Sequence, residues 1–417
     1  MKASILTIGD EILNGTTVDT NSAFIAKECV AQGISIGGIY SISDSYDGIY
    51  EGLEIAQKNS SIIFITGGLG PTKDDITKQA LANFFKATLD FDANVFEKIE
   101  AHFKKRGGKQ VELNRKLAMI PSNAELIENA RGTAMGMWFD HEDKIYVSMP
   151  GVPHEMRHML SNFVLPKIIR EKQLPTIINK YIMCAGIGES AIYERIEDIE
   201  VNLPKGTSLA YLPNLGNVKL RLTTEVSEHA KEALIELEKI QEAIRERIPK
   251  HVFSYNENDS LAKSLGELLV KRKETLSTAE SCTGGYISHL ITMIPGSSKY
   301  FEGAIAAYSY DIKEKLLNVK HETLNSVGAV SEETVIEMTK GLLEQTGTTY
   351  GIAVSGIAGP GGGTTDKPVG TVWIAVGNKD SIQARCYHLT QQREYNIKIS
   401  AQVALNMLRN FILHNES

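Results

Sequence analysis

The stretch Ala279-Glu280-Ser281-Cys282-Thr283-Gly284-Gly285 places a serine between a strand-like run, Lys273 to Thr278, and a helix-like run, Tyr286 to Met293. On such a turn the hydroxyl is exposed. Two glycines let a substrate approach the backbone, and the first free N–H groups of the helix supply oxyanion donors. N-capping by Ser281 and Thr283 around a plain glycine turn produces the same pattern, so these residues alone leave both readings open. The nucleophile needs a base, and His289, His321 and His388 sit in no useful motif. The strand-like run Phe301 to Ala307, however, ends in Tyr308-Ser309-Tyr310-Asp311-Ile312-Lys313. A lysine desolvated beside the serine can accept its proton, with Tyr308 relaying; a solvated lysine opening a helix is the other reading. A third strand, Tyr350 to Val354, runs into Ser355-Gly356-Ile357-Ala358-Gly359-Pro360-Gly361-Gly362-Gly363, either an amide nest for an anion or a mobile loop. Arg393, ahead of a last helix from Tyr395 to Phe411, suits a bidentate phosphate contact.

The elements that must position a second set of candidates lie at the start of the chain. Ala3 to Ile8, Asn21 to Gln32, Ile34 to Ile42, Tyr46 to Lys58, Ser61 to Thr66 and Asp75 to Phe85 alternate strand-like and helix-like patterns. That rhythm predicts a doubly wound α/β sheet whose ligands bind beyond the carboxyl ends of the strands. Gly9-Asp10-Glu11, Ser43-Asp44 and Gly67-Gly68-Leu69-Gly70-Pro71-Thr72-Lys73-Asp74-Asp75 follow those ends. Gly67, Gly68 and Gly70 can turn amides toward a phosphate, with Thr72 and Lys73 adding a hydroxyl and a charge. Asp10, Glu11, Asp74 and Asp75 can hold a hard divalent cation, although Asp74 or Asp75 serves equally as a helix cap. His154-Glu155-Met156-Arg157-His158 spells HExxH, but Pro153 puts it in the first turn of a helix and no third ligand follows in a motif, so it reads as a polar helix start.

The whole chain bounds what these residues can do. Its 417 residues, 42% hydrophobic and 23% charged, fit a soluble protein of two to four domains. With 44 basic against 51 acidic residues the net charge is -7, which gives no electrostatic case for direct nucleic-acid or membrane contact. Cys29, Cys184, Cys282 and Cys386 are scattered, against a disulfide framework or a cysteine zinc site, and the N-terminus carries no signal-peptide pattern. A reducing cytoplasm is expected. Gln173-Leu174-Pro175 marks a boundary, after which a small α+β segment follows with strands at Thr176 to Ala185, Ser208 to Leu212 and Val218 to Thr224 and helices at Glu189 to Ile199 and His229 to Ile248. Gly186-Ile187-Gly188-Glu189-Ser190 reads as a helix entry, and Asp259-Ser260 as the cap of a helix running to Arg272.

Gly9 to Leu13 with Gly15, Asp19 to Ser22, Thr66 to Thr72 with Asp74-Asp75, and Pro150 to Pro153 with Glu155-Met156 resemble the N-terminal domain of the competence/damage-inducible protein A (CinA) family, itself similar to molybdopterin-binding proteins of the MoaB and MogA kind. Ala279 to Gly285, Gly328 to Ser331, Ser355 to Pro360 and Lys367 to Thr371 resemble the family's C-terminal nicotinamide mononucleotide deamidase domain, and the segment between resembles its KH-like middle domain. Two positions depart from the family pattern: Met135 for a proline and Tyr310 for an asparagine. The resemblance implies a MoaB/MogA-like ADP-ribose pyrophosphatase domain over 1–170, a KH-like α+β domain over 176–252 without the GxxG loop of a nucleic-acid clamp, and an α/β/α deamidase domain over 258–414. It implies Ser281 as nucleophile with Lys313 and Tyr308. Thr283, Gly284, Gly285, Ser355, Gly359, Gly361 and Arg393 would bind nicotinamide mononucleotide, and Asn21, Gly67, Gly68, Gly70 and Thr72 would bind ADP-ribose. A divalent metal ion, cobalt or magnesium, with potassium beside it, would serve the N-terminal site on Asp10, Glu11, Asp74 and Asp75. The deamidase would need no cofactor, and the chain would form a homodimer without direct nucleic-acid contact. The alternative is a pterin- or nucleotide-binding protein acting in competence or DNA repair with one or both sites silent.

Overall fold

The computed structural model describes residues 1–72, 75–105, 115–226 and 230–414. The chain divides into two compact units, Met1–Ile178 with Glu225–Ala230, and Asn179–Thr224 with Lys231–Ser417. The segment expected as a separate middle domain therefore belongs almost wholly to the second unit. Among the described residues no helix is long and apolar enough to cross a membrane.

In the first unit β1 (Lys2–Ile8), β2 (Ser35–Ile42), β3 (Ile62–Thr66), β6 (Glu125–Ile127), β7 (Gly136–His141) and β8 (Lys144–Met149) form one sheet in the order β2-β1-β3-β8-β7-β6, while β4 (Leu89–Phe91) and β5 (Met119–Pro121) pair separately. The first four strands are parallel and β6 and β7 antiparallel. Every residue of β3 is buried, as strands covered on both faces require. The side-chain alternation of a strand divides the core: Ile5 and Phe64 pack on one face with Ile25 and Val147, Leu6 and Ile63 on the other with Leu53 and Leu81. Asp19 caps the helix Thr20–Ala31 by accepting from the Ser22 amide, and Ser45 caps Tyr46–Asn59 through the Gly48 amide. Because β1, β2, β3 and β8 run the same way, Gly9, Ser43, Gly67 and Pro150 emerge on one rim, the expected doubly wound arrangement. The helix expected from Asp75 starts at Thr77 instead, because Asp75 folds back onto Thr72.

The second unit holds two sheets. β9 (Thr176–Ala185), β10 (Thr207–Asn214), β11 (Asn217–Val226) and β12 (Val252–Ser254) lie in the order β10-β11-β9-β12, packed by the helices Glu189–Val201 and Ala230–Arg247. β13 (Leu276–Glu280), β14 (Phe301–Ala306), β15 (Tyr350–Gly356), β16 (Thr371–Gly377) and β17 (Ile382–His388) lie in the order β14-β13-β15-β16-β17. Leu261–Arg272, Tyr286–Thr292 and Arg393–His414 cover one face of that sheet around Leu265, Ile287 and Leu405. Tyr310–Leu317, His321–Ser326 and Glu332–Thr346 cover the other around Leu317, Val335 and Met338. This is an α/β/α sandwich. Arg409 on the last helix donates to the Val252 carbonyl at 2.7 Å, tying the two sheets of this unit together. The strand expected from Lys273 begins three residues later, since Lys273 is left-handed (φ 58°) and closes the preceding helix. Ser260 caps that helix through the Lys263 amide, and Gly188 precedes the helix Glu189–Val201 as expected.

Candidate active site

β13 is buried between β14 and β15 and ends at Glu280, so the next residue must leave the sheet. Ser281 does so with its amide still donating to the Val354 carbonyl at 2.9 Å. Its side chain is not exposed as the turn alone suggested. Ser281 is 8% accessible and lines a cavity of about 190 Å³ with Tyr308, Lys313, Ala329, Ser355 and Arg393.

Lys313 is brought there by the turn after β14. Ser309 caps the helix Tyr310–Leu317 through the Ile312 amide, which sends Lys313 inward on the first turn. The side chain is 1% accessible, and Nζ lies 3.0 Å from Ser281 Oγ, 2.6 Å from the Ala307 carbonyl and 3.4 Å from the Tyr308 carbonyl. No carboxylate is among these contacts. Burial therefore lowers its pKa to about 8 from the ordinary 10.5, against a smaller opposite influence of Cys282. Burial pushes the Cys282 thiol up to about 12, which keeps it protonated beside the serine.

The oxyanion donors are not those expected. The Gly284 amide donates to the Ser281 carbonyl at 3.1 Å, and the Gly285 amide to Glu280 Oε2 at 3.0 Å. Both are spent, the first on the turn's own backbone and the second on the buried carboxylate one residue before Ser281. The turn amides without a backbone-carbonyl or carboxylate partner among the described residues are those of Cys282 and Thr283. Gly284 and Gly285 are left-handed (φ 60° and 99°), so their contribution is the shape of the turn.

Tyr308 also departs from expectation. Its ring is 65% exposed at the rim, and its hydroxyl accepts from Arg393 Nη2 at 3.3 Å instead of reaching Lys313. Arg393, the first residue of the last helix, also donates from Nη1 to the Gly359 carbonyl at 2.8 Å. Gly359 thus holds Arg393, and Gly361 does not line the cavity. Ser355 Oγ and Thr283 Oγ1 are buried with no partner among the described residues, and Ser355 faces the cavity. Three supports had no legible role in the sequence. Asn396 donates to the Ala358 and Thr390 carbonyls, Lys367 Nζ reaches the Val327 carbonyl, and the Tyr310 hydroxyl accepts from the Ala329 amide at 3.4 Å. Each bridges distant segments, which no local pattern announces.

The first unit carries a cavity of about 580 Å³ on its sheet rim. Gly67, Gly68 and Gly70 line it, but the Gly67 amide is spent on the Met149 carbonyl. A Cβ on Gly68 would stand 2.1 Å from Thr77 Oγ1 in a left-handed residue, so only glycine fits. The Thr72 amide and hydroxyl both donate to Asp75 Oδ2, at 2.8 and 2.5 Å, so that hydroxyl is turned from a phosphate. Asn21 donates to Thr66 Oγ1 and to the Gly151 carbonyl, while its Oδ1 is buried without a partner among the described residues. Glu11, Asp19, Asp44, Asp75 and Glu155 line the cavity with no described lysine or arginine. Asp10 stands outside the lining and pairs reciprocally with the Asp44 amide and carboxylate at 3.4 Å. Burial raises the Asp44 pKa, and the charges of Asp10, Glu11 and Asp75 add to it. Lys73 and Asp74 lie outside the described residues. Among the described residues no three His, Cys, Asp or Glu groups gather to hold a metal ion. Glu155 stands in the first turn of the helix Pro153–Met159, as expected, and also accepts from Asn129 Nδ2 at 2.6 Å in the cavity wall, while His158 contacts Asn162 and not a shared ligand.

These sites define a multidomain α/β protein, and comparison with known proteins makes that specific. Family models match at residues 4–170 (probable molybdopterin binding domain), 179–254 (damage-inducible protein CinA KH domain) and 258–412 (CinA C-terminal domain). The chain is 43% identical over 407 residues to a CinA-like protein of Cytophaga hutchinsonii, covering 98% of this chain and 97% of that one. It is 40% identical over 424 residues to a CinA-like protein of Flavobacterium psychrophilum, covering both in full. A solved competence damage-inducible protein A of Klebsiella pneumoniae shares 32% identity over 37% of this chain and 96% of its own, with a TM-score of 0.36. The chain belongs to the CinA family.

Proposed function

We propose that the C-terminal domain is a serine amidase that hydrolyses the carboxamide of nicotinamide mononucleotide to the acid and ammonia. The observation that carries this reading is the buried Lys313 Nζ, 3.0 Å from Ser281 Oγ with its pKa lowered to about 8. Neutral Lys313 accepts the serine proton as Oγ attacks the amide carbon, and the Cys282 and Thr283 amides receive the oxyanion. The lysine ammonium then protonates the leaving nitrogen, and ammonia departs. Water, deprotonated by the same lysine, cleaves the ester and restores Ser281. Ser355 Oγ, left without a partner, suits the bound carboxamide; Arg393 at the open rim suits the phosphate, which positions the ring. The test is ammonia release from nicotinamide mononucleotide by the purified protein beside Ser281→Ala. Release by the wild type alone supports the reading; no release by the wild type sinks it.

For the first unit we propose a metal-dependent ADP-ribose diphosphatase. A diphosphate entering a cavity of carboxylates needs cations to bridge the like charges; because the described carboxylates gather no ready-made metal site, oxygens of the diphosphate itself would have to complete the shell of a hard divalent ion beside Glu11, Asp44 or Asp75. Such an ion would polarise a phosphoryl oxygen toward water. Asn21 Oδ1 would accept from a hydroxyl of the ligand, and Gly68 would let the backbone approach it. A pterin- or nucleotide-binding role without hydrolysis is the second reading for this unit, favoured by the molybdopterin-binding family model. ADP-ribose turnover with added cobalt or magnesium separates the two.

A further inference from the structure

The residue before the nucleophile does something the amidase reading does not require of it. Glu280 is 0% accessible at the end of β13, and its carboxylate turns under the loop that carries Ser281. Oε2 accepts from the Gly285 and Ile287 amides, each at 3.0 Å. Oε1 accepts from the Ser288 amide at 2.9 Å and the Ser288 hydroxyl at 2.5 Å, with the Thr278 hydroxyl at 3.3 Å. No lysine or arginine is among these contacts. A buried carboxylate held only by amides and hydroxyls is costly to place and strongly anchored once placed.

Two consequences follow from this geometry. The backbone of Glu280 is fixed in the sheet opposite Val354, and its side chain is fixed on the first turn of the helix Tyr286–Thr292. The loop from Ser281 to Gly285 is thereby closed at both ends by a single residue, with Ser281 and the Cys282 and Thr283 amides held between. The carboxylate also takes the helix amides of Gly285, Ile287 and Ser288 that would otherwise attract an anion, which leaves those of Cys282 and Thr283 as the turn amides not bonded to a carbonyl or carboxylate among the described residues.

We propose that Glu280 is a positioning residue: it clamps the nucleophile loop so that Ser281 Oγ stays on Lys313 and only the Cys282 and Thr283 amides face the reacting carbonyl. This rests on the serine–lysine reading but not on the identity of the substrate. Glu280→Gln keeps the shape while turning an amide NH₂ toward backbone donors, which releases one end of the clamp.

The experiment treats the full chain with an alkyl fluorophosphonate, which bonds to a reactive serine oxygen with loss of fluoride, and follows labelling of Ser281 by mass spectrometry across pH. Glu280→Gln, shown folded by circular dichroism, should label about tenfold or more slowly. With nicotinamide mononucleotide its kcat should fall in parallel while KM moves less than about twofold. The pH midpoint of labelling should match the wild type, because the clamp acts on position and not on the charge of Lys313. Ser288→Ala, which removes one donor, should slow labelling about threefold and serves if the first variant does not fold. Labelling of either folded variant at the wild-type rate overturns the proposal, as does a deficit that vanishes above pH 8, or a wild type not labelled at Ser281. A wild type that labels at Ser281 yet releases no ammonia from the nucleotide removes the substrate assignment and leaves the clamp standing.

Discussion

The two cavities solve different problems. In the second unit a space of about 190 Å³ holds the Ser281 hydroxyl and the Lys313 amine, the proposed nucleophile and base, both nearly inaccessible and already 3.0 Å apart. In the first, a space of about 580 Å³ holds carboxylates, a glycine loop and an unpartnered Asn21 oxygen, and among the described residues nothing paired as nucleophile and base. The small site is preorganised by burial, which leaves Lys313 neutral at a lower pH than a solvated lysine and so free to accept a proton. On the proposed reading, the large one is a receptor to which cation and water come with the substrate. Desolvation thus acts in both and with opposite sign: it lowers a lysine in one and raises Asp44 in the other.

The sharpest way to break this contrast is Ser281→Ala. It should abolish ammonia release by at least about 10³-fold and leave ADP-ribose turnover intact, measured on one preparation. Lys313→Met comes next, with an expected loss of about 10²–10⁴-fold. In the wild type, amidase rate should climb as pH passes about 8 and level off above it, because the base must be neutral; a rate falling through that range would contradict the role. The linkage to folding has a definite sign. The folded lysine titrates near 8 and the unfolded one near 10.5, so the unfolded chain binds more protons between them. Denaturant titrations should therefore show wild-type stability gaining on Lys313→Met as pH rises through that window.

Gly68→Ala tests the receptor. The left-handed backbone and the 2.1 Å approach to Thr77 Oγ1 should disturb the loop and cut ADP-ribose hydrolysis about tenfold or more, with ammonia release unchanged. Chelation should divide the activities in the same way. Tyr308→Phe is the smallest change: losing one hydrogen bond to Arg393 should raise KM for the nucleotide about two- to tenfold and leave kcat near its wild-type value.

What the sequence showed followed from local pattern. β13, its glycine turn and the following helix, and Lys313 one turn past β14, were all legible because strand alternation, glycines and caps are short-range signals. Glu280 was not read, although it lies inside the same stretch. Whether a carboxylate at a strand end faces solvent or folds under its own turn depends on burial by β14, β15 and the helix, which is long-range information. For the same reason Gly285 was assigned an amide that Glu280 takes, and Tyr308 a relay that Arg393 takes. In the first unit the strand ends located the rim correctly, but not that Asp75 would capture Thr72 or that Glu155 would join the wall through Asn129.

The most direct test of the central claim is intact-mass spectrometry during a single turnover of nicotinamide mononucleotide. A transient ester on Ser281 in the wild type, absent from Ser281→Ala, is the result this account predicts. Turnover by Ser281→Ala at the wild-type rate, with no adduct in either protein, would contradict it.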